Sequence, residues 1–152
     1  MPRLLTISLS VLFCDQIAKL FIQRVIPSGS SLAVIKNIFH LTLVYNKGAA
    51  FGIFKSQTFL FTVLGIACAI FAFLYLPRIK REPGITRYAF ALILGGILGN
   101  LIDRLRFGYV IDFLDFRVWP VFNIADSAIT IGALLICIQI LKPRKKAKIC
   151  IR

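Results

Sequence analysis

The chain has 152 residues, 59% of them hydrophobic, with a mean hydropathy of +0.85 and a formal net charge of +13. Soluble domains of this size carry about 45–50% apolar residues, so the composition excludes a soluble fold and implies an integral membrane protein. The excess of cations reads as membrane topology and attraction to anionic headgroups; no basic face interleaved with aromatics appears outside the apolar stretches, and no nucleic-acid partner is expected.

The first predicted span covers about residues 4–22 and is interrupted by Asp15 and Lys19. Their i,i+4 spacing allows them to pair on one helix face, and a partly neutralised pair near the outer interface is expected. A removable signal peptide is the competing reading, since Arg3 precedes the run. No small-x-small cleavage site follows, and Phe13 is too large for the position before Cys14 in a lipoprotein box. The segment is therefore expected to stay as a helix.

The first outer loop covers about 24–57. Within it, Ser31–Tyr45 is β-branched and aromatic with partial alternation, which predicts one or two short strands at the membrane surface. His40, the single histidine, is expected to be a satisfied strand residue. Asn46-Lys47-Gly48-Ala49-Ala50-Phe51-Gly52 follows; its small residues let backbone approach a ligand closely, with a simple turn into the next helix as the alternative. The second span, 58–76, carries no charge and meets the roughly 20-residue requirement for crossing a bilayer.

The loop 77–87 holds Arg78, Lys80, Arg81 and Arg87. The third span, 88–104, ends in Gly95-Gly96-Ile97-Leu98-Gly99-Asn100-Leu101-Ile102-Asp103-Arg104. Small residues at this spacing let membrane helices pack closely, and Asn100, Asp103 and Arg104 share one face as an expected structural network. A second outer loop, 105–120, contains Asp112 and Asp115, the latter expected to be an exposed loop charge. The fourth span, 121–141, contains Asp126, and a tail covers 142–152. Cations are denser on the side of Arg3, the 77–87 loop and the tail than beside Arg24, Lys36, Lys47, Lys55, Arg104, Arg106 and Arg117. The positive-inside bias then makes both termini cytoplasmic.

Cys14, Cys68, Cys137 and Cys150 form no C-x-x-C and have no histidine cluster nearby. They read as small buried hydrophobes, and no metal and no cofactor is expected.

Of six acidic residues five are aspartates, and a carboxylate at membrane depth is a functional-site hypothesis by default. If the bundle brings Asp112 to Asp126, the two cannot both ionise easily and are expected to share a proton. That state holds a base to activate water and an acid to protonate a leaving amine. Asn123 and Arg104 are placed to orient the pair or stabilise an oxyanion.

The chain resembles bacterial lipoprotein signal peptidase, the signal peptidase II family of aspartic peptidases. The resemblance covers nearly the whole length. It rests on Asp15-Gln16-x-x-Lys19, Asn46-x-Gly48-Ala49-Ala50-Phe51-Gly52, Gly95-Gly96-x-x-Gly99-Asn100-x-x-Asp103-Arg104, Gly108-x-Val110-x-Asp112-Phe113 and Phe122-Asn123-x-Ala125-Asp126. It implies an all-α membrane protein: a four-transmembrane-helix bundle with a small extracytoplasmic β-rich platform and a short surface helix, as one domain over 1–152. It further implies an inner-membrane endopeptidase that cuts prolipoproteins just before a diacylglyceryl-modified cysteine. By motif position Asp112 and Asp126 would be catalytic. Asn46, Gly48, Asn100, Arg104, Asn123 and Ala125 would line or support the site, with Asp15 and Lys19 as supporting residues. Besides prolipoproteins, membrane lipids are the expected partners, and a monomer is expected. The Asn46 loop and the strands before it are expected to close over the substrate peptide. Two other classes compete: a small membrane transporter or proton-relay protein, and a metal-dependent lipid transferase.

Overall fold

A computed structural model describes residues 2–48 and 57–142. Four helices and three strands alternate in the order α1 (Pro2–Val25), β1 (Ser31–Ile35), β2 (Phe39–Asn46), α2 (Thr58–Ile79), α3 (Gly84–Phe107), β3 (Val110–Asp115) and α4 (Ile124–Leu141). The helices are 18 to 24 residues long, or about 27–36 Å at 1.5 Å per residue, enough to cross the hydrocarbon core of a bilayer. All four are apolar enough to do so.

Helix α3 is the centre of the bundle and packs against α1, α2 and α4. Its small residues are the reason. A Cβ on Gly95 would lie 2.6 Å from the carbonyl oxygen of Ser8, and one on Gly96 would strike the carbonyl oxygen of Ala125. From the other side, a Cβ on Gly132 would stand 2.7 Å from the Ala89 carbonyl oxygen. Without side chains at these points the backbones approach closely enough for dispersion to hold helices together in lipid. The Ser8 hydroxyl adds an interhelical hydrogen bond to the Ala91 carbonyl at 2.9 Å. Large apolar side chains such as Phe13, Phe59, Phe71 and Leu141 point outward and are exposed. Ser8, Asp15, Lys19, Asn100 and Asp103 are turned inward and buried, the arrangement a lipid solvent requires of such groups.

The three strands form one antiparallel sheet in the order β1-β2-β3. The β1–β2 connection passes through Asn37 at φ 63°, a left-handed conformation that asparagine tolerates better than most residues. Ile22 and Ile26 at the end of α1 pack with Leu43, Ile111 and Phe113 of the sheet. This apolar cluster fixes the sheet to one end of the bundle. The register pairs Val44 with Asp112 and Asn46 with Val110.

The four spans are present and 31–45, expected to hold one or two strands, holds two, but several details differ from the sequence reading. Helices α1, α2 and α3 extend beyond 4–22, 58–76 and 88–104, and α4 begins at Ile124 because Asn123 caps it. The segment around Asp112, read as loop, is strand β3. Asp115 is not an exposed loop charge but is buried, 5% exposed. It accepts hydrogen bonds from the Thr42 hydroxyl at 2.7 Å and from the Arg117 backbone N–H at 2.8 Å, and the Arg117 guanidinium lies 3.2 Å away. Burial pushes its carboxyl up, but the bonds from Thr42 and Arg117 outweigh that and hold it below its ordinary value.

Cys14, Cys68 and Cys137 are exposed, not buried, because an outward helix face in a membrane protein is itself apolar and suits a thiol. His40 lies in β2 opposite Asp115, but its buried Nδ1 has no hydrogen-bond partner among the described residues. No short surface helix occurs among the described residues. Lys55, Cys150, the Ala49–Gly52 part of the Asn46 motif and 143–152 of the tail lie outside them, so the expected closure by that loop does as well.

Candidate active site

Helix α4 is started by a reciprocal cap. The Asn123 side-chain oxygen accepts from the Asp126 backbone N–H at 2.8 Å, and the Asp126 carboxylate accepts from the Asn123 backbone N–H at 3.3 Å. Such a capping box satisfies two otherwise orphaned N–H groups. It also fixes Asn123 in one orientation: with its oxygen committed to the helix, its Nδ2 points away and donates to Asp112 Oδ1 at 2.7 Å.

Asp112 comes from β3 and is 2% exposed. Its second oxygen, Oδ2, accepts from Asn46 Nδ2 at 2.9 Å, and Asn46 Oδ1 in turn accepts from the Gly48 backbone N–H at 2.9 Å. Asn100 of α3 serves the other carboxylate, its Nδ2 donating to Asp126 Oδ1 at 2.7 Å. Asn100 Oδ1 accepts from Asn123 Nδ2 at 3.0 Å and from the Lys19 ammonium at 3.2 Å. Three asparagines from a strand, a helix and a cap thus tie Asp112 and Asp126 into one network. Burial and the nearby Asp126 push the Asp112 carboxyl up to about 7, against the opposing pull of the Asn46 and Asn123 amides.

Both carboxylates face a cavity of about 620 Å³. Asn46, Gly48 and Arg104 share its polar side, while Phe61, Phe116, Trp119 and Ile131 are among its apolar walls. The Arg104 guanidinium lies 5.7 Å from the Phe61 ring centroid, and its contact to the Asn100 carbonyl is long at 3.5 Å. The cation therefore lines the cavity beside the Phe61 ring.

Behind Asn100 sits a buried charge cluster. Lys19 Nζ lies 2.7 Å from Asp15 Oδ2 and 2.7 Å from Asp103 Oδ2, and all three residues are at most 1% exposed. The pair expected near the outer interface is thus a fully buried triad. Asp103 belongs to Lys19 and, among the described residues, forms no ion pair with Arg104, which corrects the network read from α3 alone. Asp15 Oδ1 accepts from the Ala125 backbone N–H at 2.9 Å, so Ala125, 0% exposed, contributes its backbone and not a side-chain surface. Gln16 Nε2 donates to Asp103 Oδ1 at 2.9 Å. Gly99 makes room for this cluster, since a Cβ there would meet Asp15 Oδ2 at 2.7 Å.

Every site residue read from the sequence is therefore in one assembly. Asn46, Gly48, Arg104, Asp112 and Asp126 line the cavity, Asn100 and Asn123 hold the carboxylates, and Ala125, Asp15 and Lys19 stand behind them. The sequence reading missed Asp103 as the second carboxylate on Lys19, and the aromatic walls supplied by Phe61, Phe116 and Trp119. The aromatics carried no signal, being three among many in an apolar chain.

Residues 7–142 match the family model described as Signal peptidase (SPase) II. A lipoprotein signal peptidase of Moorella thermoacetica is 50% identical over 146 residues, covering 94% of this chain and 95% of the relative. One of Halothermothrix orenii is 45% identical over 137 residues, covering 90% and 94%. Among solved structures, a bacterial membrane enzyme determined by the in meso method superposes with a TM-score of 0.88 at 32% identity, covering 97% of this chain and 96% of the other. A second such structure gives 0.85 at 33% identity, covering 95% and 96%.

Proposed function

The chain belongs to the signal peptidase II family, and from that premise we propose that Asp112 and Asp126 form an aspartic dyad that removes signal peptides from diacylglyceryl-modified prolipoproteins, cutting just before the lipidated cysteine. The chain is a hydrolase of the bacterial inner membrane that crosses it several times, which sets aside the transporter and lipid-transferase readings. The observation that carries the proposal is the convergence of two buried carboxylates, bridged by Asn123 and Asn100, on one cavity with apolar walls.

The chemistry follows from one proton on the pair. The ionised carboxylate takes a proton from water as the water oxygen bonds to the scissile carbonyl carbon, and the protonated partner gives its proton to the carbonyl oxygen. As the tetrahedral intermediate collapses, the C–N bond breaks and the amine nitrogen receives a proton from the carboxyl that acted as base. The other carboxylate recovers a proton from the departing diol. Products are the carboxyl end of the signal peptide and the free amine of the lipidated cysteine, with the dyad back in its starting state. Arg104 at the cavity edge lowers the energy of negative charge developing on the carbonyl oxygen. The amides of Asn46, Asn100 and Asn123 hold both carboxylates still, which matters because orientation is a large share of catalysis.

The apolar walls suit a lipid-bearing cysteine, and the outward helix faces suit acyl chains and the signal helix. Chain direction puts Arg3, Lys80 and Arg87 at the end of the bundle opposite the cavity. The positive-inside bias then favours cytoplasmic termini and an extracytoplasmic site, in one peptidase domain acting as a monomer without metal or cofactor.

The test compares a diacylglyceryl-modified prolipoprotein with the same protein lacking the lipid, in detergent with chelator, reading product masses. The modified substrate alone should be cut, to give a new N-terminus at the lipidated cysteine. Cleavage at another bond, or equal cleavage of the unmodified protein, would overturn the proposal.

A further inference from the structure

Lys19 makes no contact with the cavity, yet it is among the most deeply buried large side chains of the protein. Its two carboxylate partners lead in two directions. Asp15 accepts the backbone N–H of Ala125 at 2.9 Å, the residue immediately before Asp126. Asp103 accepts the backbone N–H of Ile111 at 3.1 Å, the residue immediately before Asp112. The same Lys19 ammonium donates to Asn100 Oδ1 at 3.2 Å. With that oxygen occupied by Lys19 and Asn123, the Asn100 amide has one orientation available, Nδ2 toward Asp126.

We infer that Lys19 is a positioning residue that sets the spacing and orientation of Asp112 and Asp126, through one carboxylate arm to the backbone before each. The inference rests on the dyad reading above and deepens it. The strand carrying Asp112 is joined to the start of α4 by backbone bonds between Leu114 and Phe122 and by the Asn123 amide, but these act on one side of the dyad, and the Lys19 arms reach the backbone before each aspartate from the other. A cation held by two carboxylates fixes the separation on that side: both arms close on one nitrogen, and neither can move without breaking a buried ion pair. Misplacement of reacting groups by about 1 Å can cost roughly a hundredfold in rate, so a tie at this point acts on turnover more than on substrate affinity. The charges around the dyad come from three elements besides β3: Lys19 and Asp15 of α1, Asp103 and Arg104 of α3, and Asp126 of α4. Removing the Lys19 charge takes away a cation that favours the ionised form of Asp112, so the acid limb of the rate profile also moves to higher pH.

The test separates positioning from mere support. Lys19→Met leaves two buried carboxylates facing each other, and its loss of activity alone would say little. The neutral triple variant Asp15→Asn/Lys19→Met/Asp103→Asn removes the uncompensated charge and keeps an acceptor oxygen for Ala125 and Ile111, but the ionic tie is gone and the two arms share only the Gln16 amide, 2.9 Å from position 103 and a long 3.4 Å from position 15. Replacement of buried ionic clusters by neutral groups is often tolerated. The expected result is an unfolding midpoint within a few degrees of wild type, kcat lowered at least tenfold, and KM on the lipid-modified prolipoprotein within about twofold. In Lys19→Met the acid limb of kcat should also move up. A triple variant with wild-type kcat, one whose loss is entirely in KM, or one that does not fold would each overturn the inference. Asp112→Asn and Asp126→Asn run alongside: if they still cleave, the dyad reading fails, whereas inactive dyad variants beside a fully active triple variant refute the Lys19 role alone.

Discussion

Asp112→Asn isolates the cost of burying the Asp112 carboxyl. The group rises from 3.8 to about 7 in the fold, which at about 1.4 kcal/mol per pH unit corresponds to ~4 kcal/mol as an upper bound. The sign follows from proton counts. Well below pH 4 the carboxyl is protonated in both folded and unfolded chains, and it costs nothing. As pH rises toward 7 the unfolded chain releases the proton while the folded chain keeps it, so stability falls across that window, and above about pH 7 the penalty is complete.

An asparagine at this position removes the titration but carries a cost of its own that does not vary with pH. Asp112 accepts amides on both oxygens, from Asn123 at 2.7 Å and Asn46 at 2.9 Å. An asparagine has one acceptor oxygen, and the donor left facing its NH₂ costs about 1–3 kcal/mol. The variant should therefore be less stable than wild type near pH 4 and more stable near pH 8, the two curves crossing between. Unfolding in detergent from pH 4 to 9, followed by the fluorescence of the single tryptophan, Trp119, reads both curves. Parallel curves, with a gap independent of pH, would refute the reasoning that Asp112 is a strained carboxyl.

Three further outcomes follow from the same geometry. Lys19→Met should lower stability by roughly 3–5 kcal/mol, the usual result of stripping the partner from a buried ion, as measured by denaturant unfolding in detergent. Gly96→Ala drives a methyl group into the Ala125 carbonyl, so α4 must shift; a loss of about 1–3 kcal/mol is expected from overpacking, with activity falling because Asp126 is the next residue. If the singly protonated dyad is the active form, turnover should decline as pH rises through about 7, where Asp112 gives up its proton; a profile still rising at pH 9 would contradict that assignment.

Much of this fold is legible in the sequence because lipid imposes simple rules. Apolar runs of about bilayer length marked all four helices, although only the second is free of charged residues, and the β-branched alternation of 31–45 marked β1 and β2. Strand β3 was hidden because VIDFLD is short, and an aspartate within a nearly continuous apolar run reads equally well as a loop. Its identity comes from pairing with β2, a contact between residues more than sixty positions apart. The cysteines misled for a related reason: in a soluble protein an apolar neighbourhood means the inside, whereas Cys14, Cys68 and Cys137 sit among side chains that face outward. At the site, residue types were readable and their partners only partly so. The i,i+4 spacing announced Asp15 with Lys19, but nothing local could show that Asp103, eighty-four positions beyond Lys19, completes the triad. Asp115 was misjudged because its hydroxyl partner, Thr42, lies on a different strand.

The claim that Asp112 and Asp126 together perform the hydrolysis is tested most directly by single-turnover cleavage of a diacylglyceryl-modified prolipoprotein in detergent and chelator. Wild type is compared with Asp112→Asn and Asp126→Asn, each checked for an intact unfolding transition. Removal of one member of a catalytic unit costs about as much as removal of all, so each folded variant should lose cleavage by several orders of magnitude. A folded variant of either aspartate that cleaves within about tenfold of wild type would contradict it.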